Sequence, residues 1–135
     1  MTEALLWDAG ALREPTLSQE LAALEEEDLF EMVNLRELET GVAGVLFVST
    51  AVGAHGPRDK FFLKAGRDQP SFSVSIGPEP RVLANSLPER ELRRAAPDVI
   101  AWVKLNHQAL LRFWNHTDGM TVQELTAFVA GLQRV

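Results

Sequence analysis

The chain has 135 residues, 46% hydrophobic and 24% charged, with a net charge of −6 and no cysteine. Such a composition suits one globular domain with a single modest core, and the missing cysteine excludes disulfides, thiolate nucleophiles and zinc sites built on sulfur. The start, MTEALLWDAG, has no basic residue and carries Glu3 and Asp8, unlike a secretory signal; no uncharged apolar run approaches the roughly 18 to 20 residues that span a bilayer, so a cytoplasmic protein with no membrane contact is expected.

Charge is unevenly spread. Residues 1–40 hold eleven acids and two bases, a net of −9, whereas residues 41–135 hold eight acids and eleven bases, a net of +3. Such asymmetry directs attention to partners. The acidic part repels a polyanion, and +3 falls far short of a dedicated nucleic-acid binder. Nucleic acid is thus a disfavoured partner, reachable only through the basic loop described below.

Taken in chain order, EPTLSQELAALEEEDLFEMVNLREL reads as helix. Thr16 and Gln19 have capping-box spacing, and Leu17, Leu21 and Leu24 form one stripe. Leu29, Phe30, Met32, Val33 and Leu35 continue as a second apolar group after the acidic cluster Glu25 to Asp28. Residues 1–40 are therefore expected to form an acidic helical N-terminal arm. Gly41 and Gly44 then mark a change to sheet. VLFVSTAV (Val45 to Val52) reads as a central strand covered on nearly both faces. KFFLKA alternates, with Phe61, Leu63 and Ala65 on one side and Lys60, Phe62 and Lys64 on the other. SFSVSIG alternates with Phe72, Val74 and Ile76 inward and three serines outward. After GPEPR, RVLA is a short edge strand.

From Ser86 the pattern turns helical. Ser86 and Glu89 have capping-box spacing, and Pro97 is expected to end one helix and open a second. Val99, Trp102, Val103, Asn106, Leu110, Phe113 and Trp114 share a stripe, whose two tryptophans should centre the core. Asn106, its one polar member, must find partners, and a backbone contact that fixes the docking of the helix is favoured. A last helix begins at Thr121, boxed by Glu124. Segregated runs of this kind predict an α+β fold: a three- to four-stranded antiparallel meander over residues 41–135, with helices packed on one face.

Three groups of residues offer chemistry. The break AHGPRDK places His55 and Arg58 near Lys60 and Lys64. With Ser73 and Ser75 of a neighbouring strand, these compose a polar face able to bind an anion by charge-assisted hydrogen bonds. The competing reading is an ordinary turn and the wet side of a sheet. A triad drawn from His55, Asp59 and a serine lacks the G-x-S-x-G elbow. The histidines lack the paired spacing of a metal helix, so no metal and no cofactor is expected. Arg90, Arg93 and Arg94 stack on one helical face, more economically as a solvated surface. The segment Glu25, Glu26, Glu27, Asp28, Leu29, Phe30 is an acidic run with a Leu-Phe anchor, a form that can plug a hydrophobic groove on a protein partner.

The segments HGPRDKFFLKAG, SFSVSIGPEPRVLANSLP and VIAWVKLNHQALLRFWN, within residues 41–116, resemble small uncharacterised proteobacterial proteins. In those, a His-Gly-Pro-Arg-x-Lys turn joins two strands and a helix ending in Phe-Trp-Asn follows. More loosely, the strand–HxP–strand–helix order is similar to a bacterial domain of unknown function encoded in gene pairs of the toxin–antitoxin type. That domain carries further histidines after the turn, where this chain has Arg58 and its neighbours, so the resemblance implies no histidine-based reaction here. The combined expectation is a non-enzymatic binding or regulatory domain acting through protein–protein contacts. The alternative is a phosphate- or nucleotide-binding site, RNA-related among its options, on the polar sheet face.

Overall fold

Period-two alternation builds the centre of the molecule. The computed structural model describes residues 16–22, 29–51, 55–66 and 68–135. Within these, β2 (Met32–Leu35), β3 (Val45–Ser49), β4 (Arg58–Phe62), β5 (Ser71–Ser75) and β6 (Val82–Asn85) form one antiparallel sheet in sequential order. A two-stranded ribbon pairs β1 (Leu29–Phe30) with β7 (Met120–Thr121). The helices are α1 (Leu17–Ala22), α2 (Glu37–Thr40), α3 (Glu89–Trp114) and α4 (Val122–Gly131). The fold is α+β.

One cross-strand row sets the core. Leu35 faces Leu46, Leu46 faces Phe61, and Phe61 faces Phe72. All four are at most 1% exposed, and the two phenylalanine rings lie 5.1 Å apart at a tilt of 37°. Removing one such ring costs about 3–5 kcal/mol. Helix α3 packs against β3 and β5 on this inner side, burying Val99, Trp102, Val103, Asn106, Leu110, Phe113 and Trp114, the stripe expected from spacing. Helix α1 packs on α4. Both carry their expected capping boxes: the Gln19 amide donates to Thr16 Oγ1 at 3.1 Å, and the Glu124 amide to Thr121 Oγ1 at 3.1 Å.

Three expectations need correction. Residues 29–35 are strands, not the end of a helix. The burial of Met32–Leu35 alternates, with Val33 and Leu35 inward, and pairing with β3 satisfies a backbone that an isolated helical turn would leave partly unsatisfied. The sheet therefore begins before Gly41 and has five strands, not three or four. Second, Pro97 neither ends nor starts a helix; α3 runs through it for 26 residues. An interior proline costs about 3 kcal/mol. The apolar stripe continues on both sides of Pro97, with Leu92, Ala95 and Ala96 before it and Val99, Trp102 and Val103 after it. At about 1.5–3 kcal/mol per large buried side chain, that burial outweighs the lost bond. Third, Ser86 is not a cap. Its hydroxyl accepts from the Ser71 amide at 3.0 Å and donates to the Ser71 carbonyl at 3.2 Å, tying the end of β6 to β5.

Asn106 meets its partners in the C-terminal tail. Its Nδ2 donates to the Trp102 and Gln133 carbonyls, each at 2.9 Å, and its Oδ1 accepts from the Gln133 amide at 2.8 Å. The tail continues to Val135, whose amide donates to the Thr40 carbonyl at 3.0 Å. There Gly41, at φ +82°, leaves no room for a Cβ beside the Val135 carbonyl. Replacing Asn106 with alanine should unpair this buried backbone and lower stability by about 1–3 kcal/mol in chemical denaturation. Amide exchange should quicken first at Gln133 and Val135; unchanged exchange there would show that the tail is held by other means.

Candidate functional site

The same register that fills the core determines what the opposite side of the sheet presents. Asn34 faces Phe47, Phe47 faces Lys60, Lys60 faces Ser73, and Ser73 faces Ala84. This outer row crosses all five strands with Lys60 at its centre. In one neighbouring row Arg58 faces Ser75; in the other Val45 faces Phe62 and Phe62 faces Ser71. Arg58, Lys60, Ser73 and Ser75 therefore come together on one side of the sheet. Among the described outward positions of the five strands there are two bases and no carboxylate.

The four residues differ in readiness. Lys60 is exposed and Arg58 half-buried; Arg58 Nε has no hydrogen-bond partner. Ser73 is 3% exposed, and its hydroxyl is also unpartnered. Ser75 is already engaged, accepting from the Arg81 amide at 3.0 Å, while its own amide donates to the Arg81 carbonyl at 3.0 Å. That pairing anchors Arg81, which is exposed, at the Arg58 end of the face. An open groove of about 610 Å³ follows there, lined by residues 75–81.

Two other expected members lie outside the paired strand rows. His55 is exposed; its Nδ1 lies 3.1 Å from the Gly56 carbonyl, and its ring leans on Trp114 at 5.8 Å, at the end of α3. Lys64 follows the end of β4 in an exposed bend. Of the proposed partner segment, Glu25, Glu26, Glu27 and Asp28 lie outside the described residues. Leu29 is 59% exposed, while Phe30 packs against the core. Arg93 pairs with Glu89 at 3.5 Å on a solvated helix surface. Among the described residues no group of three or more histidines and acids could hold a metal ion, and no helix is long and apolar enough to cross a membrane.

The chain matches no family model, no curated protein and no solved structure.

Three features of the geometry were not anticipated. Val45, Phe47 and Ser49 are half-exposed, so β3 is not covered on both faces as its apolar run suggested. Phe47 consequently joins Phe62, already expected beside Lys60, on the outer side. The third is Asp59, which points inward with Phe61, faces Val74, and is 1% exposed. Neither of its carboxylate oxygens has a hydrogen-bond partner. Arg58 and Lys60 cannot neutralise it, because successive strand residues point to opposite sides. Nor can it serve His55 in a triad, as the His55 ring bonds Gly56 instead.

Burial raises the Asp59 pKa well above the usual 3.8, since an unpaired charge in the core is strongly disfavoured. Folded chains then hold this proton to a higher pH than unfolded ones. Stability from this group is full below pH 3.8 and declines as the pH rises through the raised value. Glu124 works the other way: the Thr121 backbone N–H and then the His116 ring lower its pKa from 4.5, so its contribution is present above pH 4.5 and is lost as the pH falls through the lowered value. Asp59→Asn should therefore raise the melting temperature most at neutral and alkaline pH and leave the Glu124-dependent acid limb in place. Thermal melts across pH would check this; a variant profile parallel to the parent's would show that Asp59 titrates as an ordinary carboxyl.

Proposed function

We propose that this chain is a non-enzymatic binding domain whose outer sheet face holds a phosphate-bearing ligand. One observation carries the reading: Arg58 and Lys60 stand two residues apart on that face, with Ser75 and Ser73 directly across from them and no carboxylate among the described outward strand positions. A guanidinium and an ammonium so placed can share the oxygens of one phosphate, Arg58 through its planar fork and Lys60 as a mobile point charge. Ser73, paired with Lys60, has a buried and unpartnered hydroxyl that would be a third donor to a ligand reaching it. An unpaired buried hydroxyl costs about 1–3 kcal/mol, and a phosphate oxygen in reach would recover part of that.

The reading is one of binding, because the groups that could move a proton are not gathered with the cations. His55 leans on Trp114 and Asp59 is buried on the other side of the sheet. In an NMR titration, inorganic phosphate and then a nucleoside monophosphate should shift the amides of residues 58–62 and 71–75. Charge-assisted hydrogen bonds contribute about 1.5–3 kcal/mol each. The Arg58→Ala/Lys60→Ala variant should therefore weaken phosphate binding by at least about tenfold, without lowering the melting temperature. Arg93→Ala, on the solvated helix surface, should bind as the parent does. Shifts confined to residues 90–94, or none at all, would refute an anion site on the sheet.

A further inference from the structure

We infer that the ligand of this face is a single-stranded nucleic acid, its phosphates held by Arg58 and Lys60 and its bases stacked on Phe47 and Phe62. The inference rests on the anion-binding reading above and names the class of ligand. Phe47 stands directly across from Lys60, and Phe62 follows Lys60 by two residues on the same side of β4. Both rings are half-exposed. They lie on the outer side of the sheet, whereas α3 covers the inner side. Their strands, β3 and β4, are interior to the sheet, which gives the rings a rigid base. Diagonal positions of this kind stand about 7–8 Å apart, enough to take separate bases of one strand.

Aromatic platforms interleaved with cations are what an unpaired strand requires: each base offers a π-face, and each phosphate a charge. A duplex hides its base faces and could use the cations alone. An acidic polypeptide would likewise satisfy Arg58 and Lys60 but leave the two rings without a matching surface. The described outward strand positions carry no carboxylate, and the acids at their margins include Glu79, in the groove with Arg81, and Glu37, in a groove with Asn34 and Val45. Asp59 is turned into the core, and at the β2 edge Glu20 pairs with Arg36 at 3.3 Å.

The test is a fluorescence-anisotropy titration of the full chain with a labelled oligopyrimidine, as RNA, as DNA and as the matching duplex. Either single strand should bind more tightly than the duplex, and the tighter of the two identifies the sugar. With two phosphates neutralised, log K should fall with log salt at a slope of about −1.4, and Arg58→Ala/Lys60→Ala should flatten that slope. Phe47→Leu and Phe62→Leu should each weaken the single strand by about tenfold, while the phosphate-induced amide shifts persist and circular dichroism confirms folding. If the duplex binds equally well, if the leucine variants bind as the parent does, or if polyglutamate displaces the strand as well as unlabelled oligonucleotide does, the nucleic-acid inference fails although the anion site stands. Absence of phosphate shifts at residues 58–62 would overturn the site and the inference together.

Discussion

Strand register is the constraint from which both the core and the surface follow. The inward row Leu35–Leu46–Phe61–Phe72 is held in place because each member loses nearly all contact with water. A slip of one residue in any strand would exchange its buried and exposed sets. For β4 that slip would push Lys60 into the apolar layer and Phe61 out of it. The stabilisation lost would exceed what any surface contact could return, since burial of one phenylalanine alone contributes about 1.5–3 kcal/mol. Packing on one side thus orders the cations on the other.

Asp59 shows what this coupling costs. Alternation that points Arg58 and Lys60 outward must point Asp59 inward, where nothing pairs with it. A short polar residue such as serine at that position would be less damaging. The aspartate is tolerated because the surrounding rows over-determine the strand, and because protonation removes most of the penalty of a buried charge. Burying the acid also removes a negative charge from the immediate neighbourhood of the two bases. Had Asp59 faced outward, it would have paired with Arg58 or Lys60 and cancelled much of their field.

How much of this was legible in the sequence depends on range. Local signals read correctly: the boxes at Thr16 and Thr121 need only residues three apart, and the stripe from Val99 to Trp114 needs only helical spacing. The alternation of KFFLKA and SFSVSIG put Lys60 and Ser73 on the outer side. The segment from Leu29 to Leu35 misled because its apolar residues satisfy period two and period three-to-four alike, and pairing with the distant β3 decided between them. Pro97 misled for a similar reason, since its local penalty is offset by burial against strands far off in the chain. His55 and Lys64 looked like neighbours of Lys60 by number, but one rests against the end of α3 and the other lies past the end of β4. That Lys60 faces both Phe47 and Ser73 is a property of three strands together, and no single segment carries it.

The charge balance teaches the same lesson at the scale of the molecule. A net of −6 argues against polyanions only if charge is uniformly felt, and in salt water it is not. What a ligand meets on approaching the sheet is set by residues within about one Debye length. Folding sorts charge by side: β4 divides Arg58 and Lys60 from Asp59 although the three are consecutive. The sum over residues 41–135 is small because eight acids offset eleven bases, and one of those acids, Asp59, is turned away from the outer face. The outer face is consequently more positive than the sequence total implies, and aromatic where the apolar run of β3 suggested concealment.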